Sequence, residues 1–376
     1  MKNFRGIGTS ETRPLRVAVV GCGQIADAHV REARRTGLAK VVAVCDREPD
    51  LARQAAARWG VSGEYDDVAR MLREEAPDVV HIATPPATHR ELLLRSLHAG
   101  AHVYVEKPFA LTRHESDDML AAAESARRLV CVGHDRLFEP TWVDLQQRIA
   151  AGAIGQVAHV EITQLYDLTG PFGRMLVNEP HHWVRELPGG LFHNTLPHAL
   201  SAVAELVTDP EPAVSAVTWP TEPGGIHSNL QMLVRGSHTT ASVTFLTTAG
   251  PPGTYMRIHG SAGWLESDYE ARTVDCRSGS GLPSLLVKFA VPLRHTREMG
   301  GALARNVRRF AGADLHYFAG MQALFRAFYA AVLESAPPPI APDHIRRVAG
   351  LLDHVAMAES DASARLPARA LQGLHL

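Results

Sequence analysis

The sequence predicts an α/β protein in two unequal parts: a doubly wound parallel sheet, then a domain built on an antiparallel or mixed sheet. Three observations carry that prediction. Short apolar runs alternate with amphipathic stretches from Leu15 to about residue 133. A glycine-rich turn follows the first run directly. After about Pro140 the apolar pattern changes from continuous to alternating.

The runs LRVAVV, VVAVC, DVVHIA, HVYVE and LVCVG have no polar face, as strands of a parallel sheet covered on both sides must be. Between and after them, residues 24–36, 49–59, 65–75, 88–99 and 112–127 have the spacing and length of helices. Past Pro140 a helical stretch to Ala151 leads into VAHVEITQL, SNLQMLVR, TTASVTFL and TYMRIHG, whose period of two marks half-buried strands. Helical spacing returns over 190–207 and dominates from 300 to 364, broken by Pro337, Pro338 and Pro339. The chain thus divides into a loose tail at 1–14, a first domain at 15–138, and a second at 139–376 that ends in helices.

Composition narrows the class. The 376 residues are 45% hydrophobic and 21% charged, which excludes wholesale disorder and disulfide-stapled miniproteins. Thirty-eight basic against 40 acidic side chains give a net charge of -2, with no like-charged block to attract nucleic acid. Cys22, Cys45, Cys131 and Cys276 form no CxxC pair, as expected of a protein kept in a reducing cytoplasm. No run of 18 apolar residues occurs, so no membrane span is expected.

The first strand enters Gly21-Cys22-Gly23-Gln24-Ile25-Ala26, a G-x-G-x-x-A turn opening a helix. Gly21 suits a tight turn, Gly23 lets backbone amides approach a pyrophosphate, and Ala26 allows close packing of helix on strand. Gln24 and Ile25 begin the helix, whose positive dipole end favours an anion. Asp46 closes the second strand 20 residues after Ala26, where a carboxylate accepts hydrogen bonds from ribose hydroxyls and repels a 2′-phosphate. NAD is therefore the expected cofactor. Arg47 beside it could cradle a phosphate, which keeps NADP open.

Further motifs follow: Ile82-Ala83-Thr84-Pro85-Pro86 with His89, and Ala99-Gly100-Ala101-His102-Val103-Tyr104-Val105-Glu106-Lys107-Pro108. Gly133 with Arg136, Phe138 and Pro140, Gly152-Ala153-Ile154-Gly155, and Gly260-Ser261-Ala262-Gly263 complete the set. Together they resemble the Gfo/Idh/MocA family of nicotinamide-dependent oxidoreductases over nearly the whole chain from Leu15. The resemblance implies a Rossmann domain followed by an α/β domain with a large open, mostly antiparallel sheet, the nicotinamide facing a cleft between them. It assigns Thr84, Pro85, His89, Glu106, Lys107 and Arg136 to cofactor contacts, sets Lys107 beside the nicotinamide, and implies a homodimer or homotetramer through the C-terminal sheet. The residues themselves agree on Lys107. A lysine at the carboxyl end of a parallel strand sits in the ligand crevice, where an ammonium stabilises alkoxide charge.

Pro188 to His198 resembles the family's G-G-x-x-x-D-x-G-x-H element. His198 matches the histidine, while Asn194, Leu196 and Ser201 stand where the family often has aspartate, glycine and aspartate. Residues 194 and 198 share a helix face, so both are expected to point toward Lys107. Oxidising an alcohol requires a hydride acceptor, a base for the hydroxyl proton and a donor for the oxygen. His198 can be that base, Asn194 can orient a hydroxyl, and Lys107 can hold the oxygen. The polar, aromatic segment carrying Tyr166, Asp167, Arg174, His181, His182 and Trp183 is expected to touch substrate. Twenty histidines invite a metal reading, but no spaced ligand set completes it, so no metal is expected.

The function expected is NAD-dependent hydride transfer to or from a hydroxyl or ketone of a small-molecule substrate, a sugar, cyclitol or related polyol. Two alternatives stay open. One is a redox-neutral lyase, glycosidase or epimerase that oxidises its substrate transiently. The other is a dinucleotide-binding regulator without catalysis.

Overall fold

The computed structural model describes residues 13–179, 181–220, 227–247, 250–279, 282–312 and 318–365. The first twelve residues of the expected tail lie outside that set. Six parallel strands form the first sheet: β1 (Leu15–Val20), β2 (Ala39–Cys45), β3 (Gly63–Tyr65), β4 (Val79–Ile82), β5 (His102–Val105) and β6 (Val130–Val132). They run in the order β3-β2-β1-β4-β5-β6. The crossovers are α1 (Ala26–Arg35), α2 (Pro49–Trp59), α3 (Val68–Glu75), α4 (His89–His98) and α5 (Arg113–Ala126). The chain leaves β1 toward β2 and later returns to its other side as β4, so a crevice opens at the carboxyl ends of β1 and β4.

One expected boundary differs. The helix expected over 65–75 starts at Val68, and residues 63–65 form the edge strand β3. Asp67 decides this locally, because its carboxylate accepts the Arg70 amide at 2.6 Å and caps the helix. Tyr65 turns inward instead and donates to Glu75 at 3.0 Å.

The second part contains α6 (Pro140–Ala150), β7 (Val157–Leu165), α7 (Pro171–Asn178), α8 (Gly190–Thr195), α9 (Pro197–Leu206), β8 (Ala213–Pro220), β9 (His227–Arg235), β10 (Thr240–Leu246), β11 (Gly253–Gly260), β12 (Gly263–Asp268) and β13 (Thr273–Ser278). Three helices follow: α10 (Ser284–Ala311), α11 (Ala319–Glu334) and α12 (Pro342–Arg365). Helix thus resumes at Ser284, ahead of the expected 300. The seven strands lie in the order β13-β12-β11-β7-β10-β9-β8, antiparallel except where β7 meets β10. Alternation sends Val160, Ile162, Leu230, Met232, Val243, Phe245 and Ile258 into a core beneath α8, α9 and α12. The other face leaves Val217, Trp219, Leu233 and Tyr255 exposed.

The last helices are shared between the two sheets. Met321, Leu324, Phe325, Phe328 and Tyr329 of α11 are buried in the first core, whereas Val348, Leu351, Leu352 and Val355 of α12 belong to the second. No helix among the described residues is long and apolar enough to cross a membrane.

Candidate active site

The turn after β1 is shaped for close approach. Gly21 has φ of +97°, and a β-carbon there would lie 2.6 Å from the Ala83 carbonyl oxygen, so only glycine fits. Gly23 and Gln24 are exposed, and nothing stands within 4 Å of the place a Gly23 β-carbon would take. The first turn of α1 therefore faces open space, with Ile25 on the cleft wall and Ala26 buried against the sheet. Asp46 accepts the Cys22 amide on Oδ2 at 2.8 Å and the Glu48 amide on Oδ1 at 3.0 Å. Those bonds hold its carboxylate at the mouth of the crevice with lone pairs to spare. Arg47 points into solvent, its side chain 91% exposed, and pairs with Glu48 at 3.7 Å. This cradle fits a dinucleotide with free ribose hydroxyls.

Thr84 and Pro85 form the lip after β4, Pro85 exposed and Thr84 partly so. His89 departs from its expected cofactor contact. It is fully buried, with Nε2 2.9 Å from the Thr84 carbonyl oxygen and Nδ1 3.0 Å from that of Pro108. Burial holds its pKa below the usual histidine value, so its single N–H donates to one of the two loop carbonyls between which the ring is wedged, bracing the lip against the Glu106-Lys107-Pro108 turn.

Beyond β5, Glu106 and Lys107 enter a cleft of about 420 Å³, and the Lys107–Pro108 peptide is cis. Lys107 Nζ donates to the Asn194 carbonyl oxygen at 2.8 Å and to Asn194 Oδ1 at 3.3 Å. Burial pulls the Lys107 pKa below the ordinary lysine value, while Glu106 and Asp135 pull it back up. Asn194 thus meets Lys107, and His198 lines the same cleft as Lys107, although the chain between 194 and 198 is two short helices meeting at Leu196 rather than one.

His198 keeps 27% of its side chain exposed to the cleft, with Nδ1 3.4 Å from Asp135 Oδ1. Burial, then the positive charges of Lys107 and Arg136, hold its pKa well below the usual histidine value, so the ring is neutral. Asp135 goes the other way. Burial, reinforced by Glu106, pushes its pKa up to about 7. Neither His198 Nδ1 nor Asp135 Oδ1 has a hydrogen-bond partner as placed, and a single proton between the two satisfies both.

The rest of the cleft comes from Gly133, Arg136, Glu139, Tyr269, Glu270, Arg272, Asn306, Phe318 and Met321. Arg136 lies 5.3 Å over the Tyr269 ring. A small adjoining pocket is lined by Gln164 and Thr254 together with Arg136, His198 and Tyr269, and Gln164 Oε1 is buried there with no hydrogen-bond partner among the described residues. Sequence reasoning missed Asp135, Gln164, Tyr269, Arg272 and Asn306. Asp135 had a signal, because it follows a parallel strand in the Gly133-His134-Asp135-Arg136 run at the carboxyl edge of the sheet.

The expected substrate loop is placed elsewhere. None of Tyr166, Asp167, Arg174, His181, His182 or Trp183 lines the cleft. Tyr166 stacks on Phe245 with centroids 5.7 Å apart. Asp167 closes a turn on the Thr169 amide at 2.7 Å. Arg174 and His181 face solvent. His182 is buried and accepts the Val184 amide at 3.3 Å, next to Trp183. The pull inward is therefore the cap of a helical turn at Trp183–Glu186. Among the described residues, no group of three or more His, Cys, Asp or Glu is placed to hold a metal.

A doubly wound sheet with a glycine cradle, a ribose carboxylate and a lysine in the crevice defines an NAD-binding Rossmann protein of the oxidoreductase class. The chain belongs to the Gfo/Idh/MocA family. The profile described as "Oxidoreductase family, NAD-binding Rossmann fold" matches residues 15–134, and the family's C-terminal domain matches residues 142–266. The chain is similar to the D-glucoside 3-dehydrogenase of Escherichia coli, 32% identical over 145 residues, 38% of this chain and 41% of that protein. It also matches the 4-carboxy-2-hydroxymuconate-6-semialdehyde dehydrogenase of Sphingobium, 26% identical over 77% of this chain and 94% of that one. The first two curated relatives it matches are spanned over 57% and 41% of their length. Among solved structures, a levoglucosan dehydrogenase in complex with NADH and L-sorbose shares the fold, with a TM-score of 0.76 at 20% identity, covering 93% of this chain and 98% of that one.

Proposed function

We propose that this chain is an NAD-dependent dehydrogenase acting on a hydroxyl, or in reverse a ketone, of a sugar, cyclitol or related polyol. The observation that carries the reading is the convergence of Lys107, His198 and Asp135 at the carboxyl edge of the first sheet, beside the dinucleotide cradle. A glucoside dehydrogenase among the relatives and a levoglucosan dehydrogenase among the structural neighbours support the substrate class.

Bound NAD supplies the acceptor for the hydride leaving the carbinol carbon. The chain's own residues handle the oxygen and its proton. The Lys107 ammonium donates to the substrate oxygen and stabilises the charge that builds as the O–H proton departs. His198 receives that proton on Nε2, which requires the ring's own hydrogen to sit on Nδ1. An ionised Asp135 selects this tautomer by accepting from Nδ1. A protonated Asp135 donates to Nδ1 instead and leaves His198 with an Nε2 hydrogen, suited to protonating an alkoxide in the reverse direction. Asn194 anchors Lys107 in place of the aspartate common in the family, so the charge partner of the site comes from Asp135.

Exclusion of NADP by Asp46 belongs to the same proposal, supported by its fixed carboxylate and the outward turn of Arg47. So does self-association through the outer face of the seven-stranded sheet, supported by exposed Val217, Trp219, Leu233 and Tyr255. A panel of sugars, cyclitols and their keto forms, followed at the absorbance of reduced nicotinamide, tests the reading. NADH formation with a polyol supports it. Solvent deuterium appearing in a substrate C–H without net NADH would replace it with a redox-neutral reaction.

A further inference from the structure

Behind Glu106, on the side away from the cleft, an unbroken chain of polar side chains crosses the first core. His29 on α1 sets Nε2 3.0 Å from Glu106 Oε1, and its Nδ1 lies 3.0 Å from Nδ1 of His81 on β4. His81 Nε2 is 2.9 Å from the hydroxyl of Tyr329 on α11. His29, His81 and Tyr329 have no exposed surface. Aromatic neighbours fix the middle of the chain, Tyr104 stacked on His81 at 4.9 Å and Phe325 edge-on to it at 4.6 Å.

Hydrogen-bond geometry assigns every proton in this chain. Glu106 accepts twice, on Oε1 from His29 and on Oε2 from the Lys107 amide at 3.2 Å. Burial opposes its charge, yet the His29 hydrogen bond and the Lys107 ammonium prevail and hold its pKa below the usual carboxylate range. An ionised Glu106 requires His29 to donate from Nε2, and of the facing Nδ1 atoms of His29 and His81 one must be the donor. Burial keeps His81 neutral, and with the Tyr329 hydroxyl donating to Nε2 its single hydrogen sits on Nδ1 and is given to His29 Nδ1. Tyr329, whose phenol burial keeps protonated, supplies the hydrogen to His81 Nε2. All three hydrogens point toward Glu106. The opposite direction would leave the Tyr329 hydrogen without an acceptor among aromatic rings, a costly state in a dry core.

We propose that Tyr329, His81 and His29 are positioning residues, a one-way chain of donors that fixes Glu106 as an anion and, through it, Lys107 as an ammonium in the cleft. A helix near the C-terminus thereby sets the charge of the active site without touching substrate or cofactor. Glu106 is also faced by His89 from α4, Tyr104 on its own strand, Asp135 past β6 and Lys107 itself. Lys107 is faced by Glu106, Asp135, His134 and His198.

The test uses the full chain and the Tyr329→Phe variant, which keeps the ring that packs on Phe325 and Phe328. Nitrogen-15 spectra of labelled histidines read the tautomers directly. Wild type is expected at about pH 8 to show His29 with a hydrogen on Nε2 and none on Nδ1, and His81 with its hydrogen on Nδ1. The variant is expected to mix the His81 tautomers. Without the terminal donor Glu106 is less stabilised as an anion and Lys107 less as a cation, so the alkaline limb of kcat should fall by roughly half a pH unit. KM for NAD should change by less than about twofold, since the chain touches no ligand. The opposite tautomers in wild type, or an unchanged alkaline limb in a folded Tyr329→Phe protein, would overturn the proposal. The kinetic arm rests on the hydride-transfer reading above. Wild type inactive on every substrate overturns that reading, and the tautomers then decide the chain alone.

Discussion

Around the first sheet, Phe325, Phe328 and Leu324 enclose His29, His81, Tyr104 and Tyr329, four side chains with polar atoms. Around the second, Val160, Ile162, Leu230, Met232, Val243 and Phe245 enclose hydrocarbon, and His198 sits at the rim where that core meets the cleft. His29, His81 and Tyr329 partner one another, which ties the first core to one arrangement, whereas the second is packed mainly by shape. The division of labour follows. Glu106, Lys107 and Asp135 come from the first half, and the second half supplies His198, Asn194 and the opposite wall of the cleft.

Replacing Lys107 by Met removes the charge that the first half delivers, and the largest effect is expected there. Turnover should fall by roughly 100-fold or more, with NAD binding kept within about threefold. Steady-state kinetics with calorimetric NAD titration measures both, and near-normal turnover would make this lysine structural.

Phe325→Ala attacks the packing around the polar chain. A buried phenylalanine truncated to alanine typically loses about 3–5 kcal/mol, and here the cavity also uncovers His81 and Tyr104. Urea unfolding should show that loss. A cost under about 1 kcal/mol would mean the first core is looser than the second.

A smaller effect is expected at Asp46. Changing it to Ala should weaken NAD binding by about tenfold, the scale of one or two lost hydrogen bonds, and narrow the preference over NADP. Tighter NADP binding by wild type would shift the ribose role to Arg47.

The cofactor side of the cleft was readable in the sequence because its rules are local. A tight turn requires glycine at 21, the end of β2 places Asp46, and the end of β5 places Lys107. The substrate side follows no such rule. Tyr269 and Arg272 reach the cleft through the register of β12 against β13, and Asn306 through the lie of α10, neither of which leaves a short-range pattern. His182 beside Trp183 has the composition of a binding loop and serves as a cap, since residue types do not distinguish an imidazole turned inward from one turned out. The His29–His81–Tyr329 chain joins residues up to 248 positions apart, a link only the folded chain makes.

In the proposed reaction a proton passes between substrate and His198 under the control of Asp135, whose pKa burial pushes up to about 7. Below that value Asp135 is protonated and gives His198 the tautomer that cannot accept. Above it the carboxylate selects the tautomer that can. The most direct test is therefore the pH dependence of kcat/KM for alcohol oxidation in wild type and Asp135→Asn, with the best substrate from the panel. Wild type should rise through about pH 7, and the variant should lose that limb along with roughly 10- to 100-fold in rate at pH 8. A wild-type profile flat across neutrality, or a limb that survives in Asp135→Asn, would contradict the mechanism.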